Sequence, residues 1–206
     1  MDLALFARSL FVGLAIAAPV GPVGILCIRR TLRDDWATGV ATGLGAATAD
    51  AAYGAVAAFG LTFVIGWIGA WDLALRLAGG VALAIIGVRI LRTDVATAPR
   101  ETSRRALVGA YGTTVILTVT NPATIISFVG IVASLGIQDD SIASASIVVA
   151  GVATGSAAWW LALTSVIAVF RTRISPAGLR WVNRVAGGLL ILFGIAVAVS
   201  TVAGQR

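Results

Sequence analysis

Apolar residues run along this chain in long blocks, and the few charges fall between them. A helix rises about 1.5 Å per residue, so about 20 apolar residues cross a hydrocarbon core about 30 Å thick. Six blocks reach that length. The first covers about Phe6 to Ile28, the second Ala37 to about Leu61, and the third Leu73 to Leu91. The fourth lies in an uncharged run of 33 residues, Ala106 to Gln138. The fifth lies in Ser141 to Phe170, and the sixth runs from about Trp181 to Val202. Arg76 and Arg89 sit near the ends of the third block, where long side chains reach the interface. The pattern predicts an all-α polytopic membrane protein with six transmembrane helices.

Two blocks carry breaks. Pro19-Val20-Gly21-Pro22-Val23-Gly24 puts two prolines and two glycines into six residues of the first block. Proline removes a backbone donor and clashes with the preceding turn. In hydrocarbon such a break survives only where protein or a water-filled cavity satisfies the freed groups. Broken helices at membrane depth are typical of transport sites. The fourth block is broken at Asn121-Pro122, with Thr118, Thr120 and Thr124 at hand to re-satisfy freed backbone groups.

The blocks also repeat. Arg76-Leu-Ala-Gly-Gly-Val-Ala-Leu resembles Arg184-Val-Ala-Gly-Gly-Leu-Leu-Ile, 108 positions later. At the same offset Gly43 meets Gly151, Thr48 meets Ser156 and Ala49 meets Ala157. With a different loop length, Ala18-Pro19 faces Asn121-Pro122. Two halves of three helices each must point in opposite directions. The expectation is one domain over residues 1–206, built as inverted repeats of about 1–91 and 106–206.

Composition agrees with the pattern. Hydrophobic residues make up 59% of the 206 positions and charged residues 12%, against about 25% charged in a soluble domain. The net charge of +6 comes from arginines in short segments between apolar blocks, not on one face of a soluble domain, which argues against a nucleic-acid partner. Twelve of the fifteen basic residues fall after blocks one, three and five. The positive-inside rule then puts those connections in the cytoplasm and both termini outside. The first block has no small-residue cleavage site and its Arg29-Arg30 follow it, so it reads as a retained span. One cysteine, Cys27, and no histidine leave no disulfide and no soft-metal ligand set, so neither a metal nor a cofactor is expected. Trp36, Trp67, Trp71 and Trp181 lie near block ends and read as interface anchors.

Asp50 is the one ionisable residue placed deep in a block. A charge there costs at least about 3 kcal/mol on insertion scales, so it is a functional candidate by default. It could accept a proton, bind a cation or pair with an ammonium group; otherwise it is an acid hydrogen-bonded to neighbours such as Thr48 or Tyr53. Counted from the block ends, Pro19, Asn121 and Asp50 each lie about 20 Å deep. The two breaks and the buried acid therefore share one level. Pro19, Gly21, Pro22 and Gly24 would present carbonyls and a helix N-terminus, which favours an anionic group. Trp159-Trp160 lie deep in the fifth block, as a pathway wall or as packing.

These residues resemble the lysine exporter (LysE/RhtB) family of bacterial amino-acid efflux permeases. The similarity is carried by Pro19-Val-Gly21-Pro22-Val-Gly24 with Leu26-Cys-Ile-Arg-Arg-Thr-Leu. It continues through Gly39, Gly43 and Ala47-Thr-Ala-Asp50-Ala-Ala-Tyr53 to Asn121-Pro122, over essentially the whole chain. Family members usually show Pro-Gly-Pro at the first break; here Val20 stands for the first proline. Many carry Lys after Asn-Pro; here Ala123 follows, which removes a positive partner for a carboxylate. The resemblance implies a bacterial inner-membrane exporter of amino acids or related metabolites, driven by a gradient of H⁺ or Na⁺. Its expected substrate- and ion-binding set is Pro19, Gly21, Pro22, Gly24, Asp50, Tyr53, Asn121 and Pro122. A second copy of the chain is an admissible partner, because glycine-rich faces pack closely.

Other classes fit less well. The chain has no lysine, hence no ATP-binding Gly-x-x-x-x-Gly-Lys. An intramembrane serine protease would need a histidine, an aspartyl protease a second buried acid, and a thiol carrier a second cysteine. No enzyme is expected. A passive channel or structural membrane subunit stays open. It differs in predicting flux without a titratable group.

Overall fold

The computed structural model describes residues 2–19, 21–59, 70–92, 103–120 and 141–203. Among them there are seven helices and no strand. They are α1 (Leu3–Ala17), α2 (Pro22–Arg33), α3 (Trp36–Ala58), α4 (Asp72–Leu91), α5 (Arg104–Val119), α6 (Ile142–Arg171) and α7 (Pro176–Ala203). Four begin on a side-chain cap: Asp2, Asp35, Ser103 and Ser141 each accept a hydrogen bond from an N–H of the first turn.

Three stretches are long and apolar enough to cross a membrane alone: Leu73–Leu91, Ile142–Arg171 and Pro176–Thr201. The pair α1 and α2 reaches that standard jointly, as one bent unit. The six expected spans thus divide into three clear ones, a broken one, and α3 and α5, which do not meet it. For α5 the reason is length: 16 residues rise only about 24 Å. For α3 it is composition, and its position explains the composition. This helix packs on α2, α5 and α6 at once, and its buried residues are mostly Gly, Ala and Thr. Small residues let neighbouring backbones come close, which replaces bulk as the source of contact.

The remaining pairs follow the same rule. The α1–α6 seam is parallel: Gly151 lies against the Phe6 carbonyl, Gly155 against the Leu10 carbonyl, and Ala17 packs with Trp160. The α4–α7 seam is reciprocal, with Gly80 and Gly194 set against each other's carbonyls and Gly87 and Gly187 likewise. The α4–α7 pair meets the other helices through α2 and α5. Leu26 of α2, Leu83 and Ile90 of α4, Leu117 of α5 and Leu190 of α7 form the apolar cluster at that junction. Large apolar residues such as Phe11, Val81, Ile116, Val166, Leu192 and Ile195 face outward, as lipid requires.

The close seams give a paired prediction. A Cβ at Gly155 would overlap the Leu10 carbonyl oxygen, whereas one at Gly188 meets nothing within 4 Å. Gly155→Ala should lower stability by about 1–3 kcal/mol through backbone displacement. Gly188→Ala should leave it unchanged or raise it slightly. Thermal unfolding of the purified variants in detergent reads both.

Candidate functional site

The helix stops where the prolines begin. Ala18 still donates to the Leu14 carbonyl at 2.9 Å, and then Gly21 N–H turns back to the Pro19 carbonyl at 2.9 Å. Gly21 is extended, and Pro22 opens α2 at the position where a missing N–H removes no intrahelical bond. The axes of α1 and α2 differ in direction by 79°. No side chain caps α2. Its N-terminus carries the partial positive charge of unpaired N–H groups. A Cβ on Gly21 would meet nothing within 4 Å, so there is open room beside that N-terminus. Pro19 is exposed, Gly21 and Pro22 are half-buried, and Gly24 is buried.

Two apolar clusters fix the level of this break. Ile16, just before it, packs on Tyr53, Val148 and Val152. Ala17 and Val23, on either side of it, belong to a cluster with Cys27, Ala46, Ala47 and Trp160. Asp50 follows Ala46 by four positions and precedes Tyr53 by three, so it lies between the two clusters. The structure therefore brings the first break and the acid to one level, as the sequence places them. Asn121 and Pro122 lie outside the described residues. The helix before them, α5, ends at Val119. The Tyr53 hydroxyl donates to the Val119 carbonyl at 2.5 Å and ties α3 to that end.

Asp50 is 3% exposed. Its expected neighbour Thr48 is engaged elsewhere, donating to the Leu44 carbonyl and accepting from the Tyr111 hydroxyl. The carboxylate instead accepts from Ser156 Oγ of α6 at 2.7 Å. Among the described residues no cation forms an ion pair with it. A buried carboxylate held by one neutral donor keeps acceptor capacity for a proton, a cation or an ammonium group. One turn on from Ser156, Trp160 is 5% exposed, lies against Gly43, and its Nε1–H has no hydrogen-bond partner. An indole N–H left unpaired in a core is unusual. Trp160 packs in the apolar cluster with Ala17, Val23, Cys27, Ala46 and Ala47.

The arginines after the first block are not in a loop. Arg29 and Arg30 lie on α2, and Arg29 is buried. The half-buried Arg30 reaches across to α3 and α5. Its Nη1 donates to Thr42 Oγ1 (3.0 Å), the Ala110 carbonyl (3.0 Å) and Thr114 Oγ1 (3.2 Å), and its Nη2 to Thr113 Oγ1 (2.9 Å). At the same end, Arg171 of α6 donates to the Asp34 carbonyl. These side chains tie α2, α3, α5 and α6 together at the basic end of the bundle. Ser156, Trp160 and the arginine contacts were not in the expected set. Two sequence signals pointed at some of them: the repeat offset that equates Thr48 with Ser156, and the depth of Trp159-Trp160 in the fifth block.

Apolar helices of spanning length, one bent unit, and a buried acid level with the bend define a multi-pass helical membrane protein. The chain belongs to the LysE type translocator family, whose family model matches residues 14–201, from α1 through nearly all of α7. It is thus a member of a family of membrane translocators. No curated protein and no solved structure matches it.

The Asp50–Ser156 bond generates a prediction of its own. Ser156→Ala should lower stability by about 1–3 kcal/mol, because it leaves a buried carboxyl without its donor. Ser156→Thr, which restores the hydroxyl, should recover most of the loss. Chemical or thermal denaturation in detergent at fixed pH measures the difference.

Proposed function

We propose that this chain is a secondary active transporter that exports amino acids or related small metabolites from the cytoplasm by proton antiport, with Asp50 as the coupling acid. The observation that carries the reading is the position of Asp50. It is buried, held by a single neutral hydroxyl, and level with the α1–α2 break. Half-helix ends and an ionisable group at one level are what alternating-access transporters place around their substrate. In this reading the α2 N-terminus beside Gly21 receives the substrate's anionic group. Pro22, Gly24 and Tyr53 shape that pocket, Pro19 sets the bend, and Asn121 and Pro122 supply the matching break from the second half. Asp50 takes up a proton from outside and releases it inside as substrate leaves.

Helix pairing supports a six-span inverted repeat. If α1 with α2, α3 and α4 correspond to α5, α6 and α7, the α1–α6 seam is the counterpart of the α3–α5 seam. The α3–α6 and α4–α7 seams then pair equivalent helices with each other. Both of those pairs run antiparallel: Gly43 lies by Trp160 and Gly54 by Val152, and Gly80 lies by Gly194 and Gly87 by Gly187. Halves of opposite direction give antiparallel equivalents; halves of the same direction would not. The arginine distribution supports an inner-membrane setting with both termini outside.

The test uses purified protein in lipid vesicles, a panel of radiolabelled amino acids and an imposed pH gradient. Wild type should drive one or more of them uphill. Asp50→Asn should abolish gradient-driven flux while the folded protein is recovered in normal yield. Uphill transport by Asp50→Asn would overturn the coupling role. Flux indifferent to both the gradient and the substitution would identify a passive pore instead.

A further inference from the structure

The seam between α2 and α7 holds a second polar group that the transport reading leaves unused. Arg29 of α2 is 6% exposed and Asn183 of α7 is 5% exposed. Arg29 Nε donates to Asn183 Oδ1 at 2.8 Å. That bond fixes the amide: Oδ1 faces the guanidinium, and Nδ2 is left buried with no hydrogen-bond partner. Turning the amide over would set two donors against each other.

The two side chains therefore present donors only. Neighbouring Arg30 shows the contrast, since its guanidinium nitrogens find four neutral oxygens on α3 and α5. Arg29 has one oxygen, and among the described residues no carboxylate pairs with it. Asp34, at the end of the same helix, contacts Arg33, Nε to Oδ1 at 4.0 Å. A buried guanidinium with neither a carboxylate nor a full set of acceptors is unfavourable, and an added acceptor of opposite charge removes that penalty. A guanidinium fork suits two oxygens of one group. The surroundings add to the field. Arg33 lies one turn on, and the exposed Arg180 and Arg184 flank Asn183 on α7.

We propose that Arg29 and Asn183 form a binding site for an oxyanion, a carboxylate or phosphate group, in the α2–α7 seam at the basic end of the bundle. The guanidinium nitrogens and Asn183 Nδ2 donate to its oxygens. Two sources supply this chemistry, a soluble small anion or the phosphate of an anionic lipid, because basic pockets between spans at the cytoplasmic side hold lipid headgroups.

The experiment reads binding and needs no transport, so it stands or falls apart from the exporter reading. Lipid-stripped protein in neutral detergent is unfolded by heat in sodium chloride, sodium phosphate and sodium acetate at equal ionic strength. It is unfolded again with added phosphatidylglycerol or phosphatidylcholine. An oxyanion should raise the thermal midpoint by about 3 °C or more over chloride. A rise with free phosphate or acetate identifies a soluble anion as sufficient; a rise only with phosphatidylglycerol identifies the lipid. Arg29→Gln should lose the response. Asn183→Asp, nearly isosteric, places a carboxylate on Arg29 permanently; it should raise the midpoint without added anion and abolish the response. No oxyanion response in wild type, a response retained in Asn183→Asp, or an Asn183→Asp protein less stable than wild type would each overturn the proposal.

Discussion

A helix that ends inside hydrocarbon leaves carbonyls on one side of the break and N–H groups on the other, with no water to take them. That constraint organises this molecule. The axes of α1 and α2 differ by 79°, and the residues flanking the bend, Ile16, Ala17 and Val23, pack on protein. Ile16 is covered by Tyr53 and Val152, while Ala17 and Val23 are covered by Ala46, Ala47 and Trp160. Those covering residues belong to α3 and α6, the helices that carry Asp50 and Ser156.

The enclosure depends on α3 being thin. Gly39 lies against Thr31 of α2, Gly43 against Trp160 of α6 and Gly45 against the Tyr111 carbonyl of α5. In lipid there is no hydrophobic gain from joining two apolar faces, so association rests on close van der Waals contact and on hydrogen bonds. Glycine and alanine supply the first. Thr42, which accepts from Arg30 and donates to the Thr38 carbonyl, supplies part of the second. A helix that falls short of a span by composition thus packs against three others, for one physical reason.

Much of this was legible in the chain. Each described helix overlaps one of the six blocks, the first block holding α1 and most of α2, because a bilayer demands a minimum apolar length. The shared depth of Pro19 and Asp50 was legible too, since helix rise converts residue counts to distance. What could not be read were contacts across helices. Thr48 and Ser156 are equally good donors by residue type; only the rotation of α3 about its axis turns Asp50 towards Ser156 and Thr48 towards Tyr111. Arg29 and Arg30 read as loop charges because charge density marks a block's end. The helix carries on to Arg33, and successive residues on it point about 100° apart, so one arginine faces α3 and α5 while the other faces α7. The second break at Asn121-Pro122 lies outside the described residues, and only the end of α5 at Val119 bears on it.

The position of α2 ties these observations together. Its N-terminus borders the bend and its Val23 and Cys27 face α3 and α6, next to the acid. Its Leu26 and Arg29 face the α4–α7 pair. It touches α3, α6 and α7. The acceptor-only group at Asp50 and the donor-only group at Arg29 and Asn183 are of opposite sign and lie on opposite faces of this short helix. Arg30 fastens this 12-residue helix to α3 and α5 and Arg29 fastens it to α7, so its position is set from both faces. An anion that fastens α2 to α7 would therefore bear on the opening at Gly21 without touching it. If the two sites are coupled through α2, linkage requires the converse: what binds at that N-terminus alters the hold on the anion by the same factor.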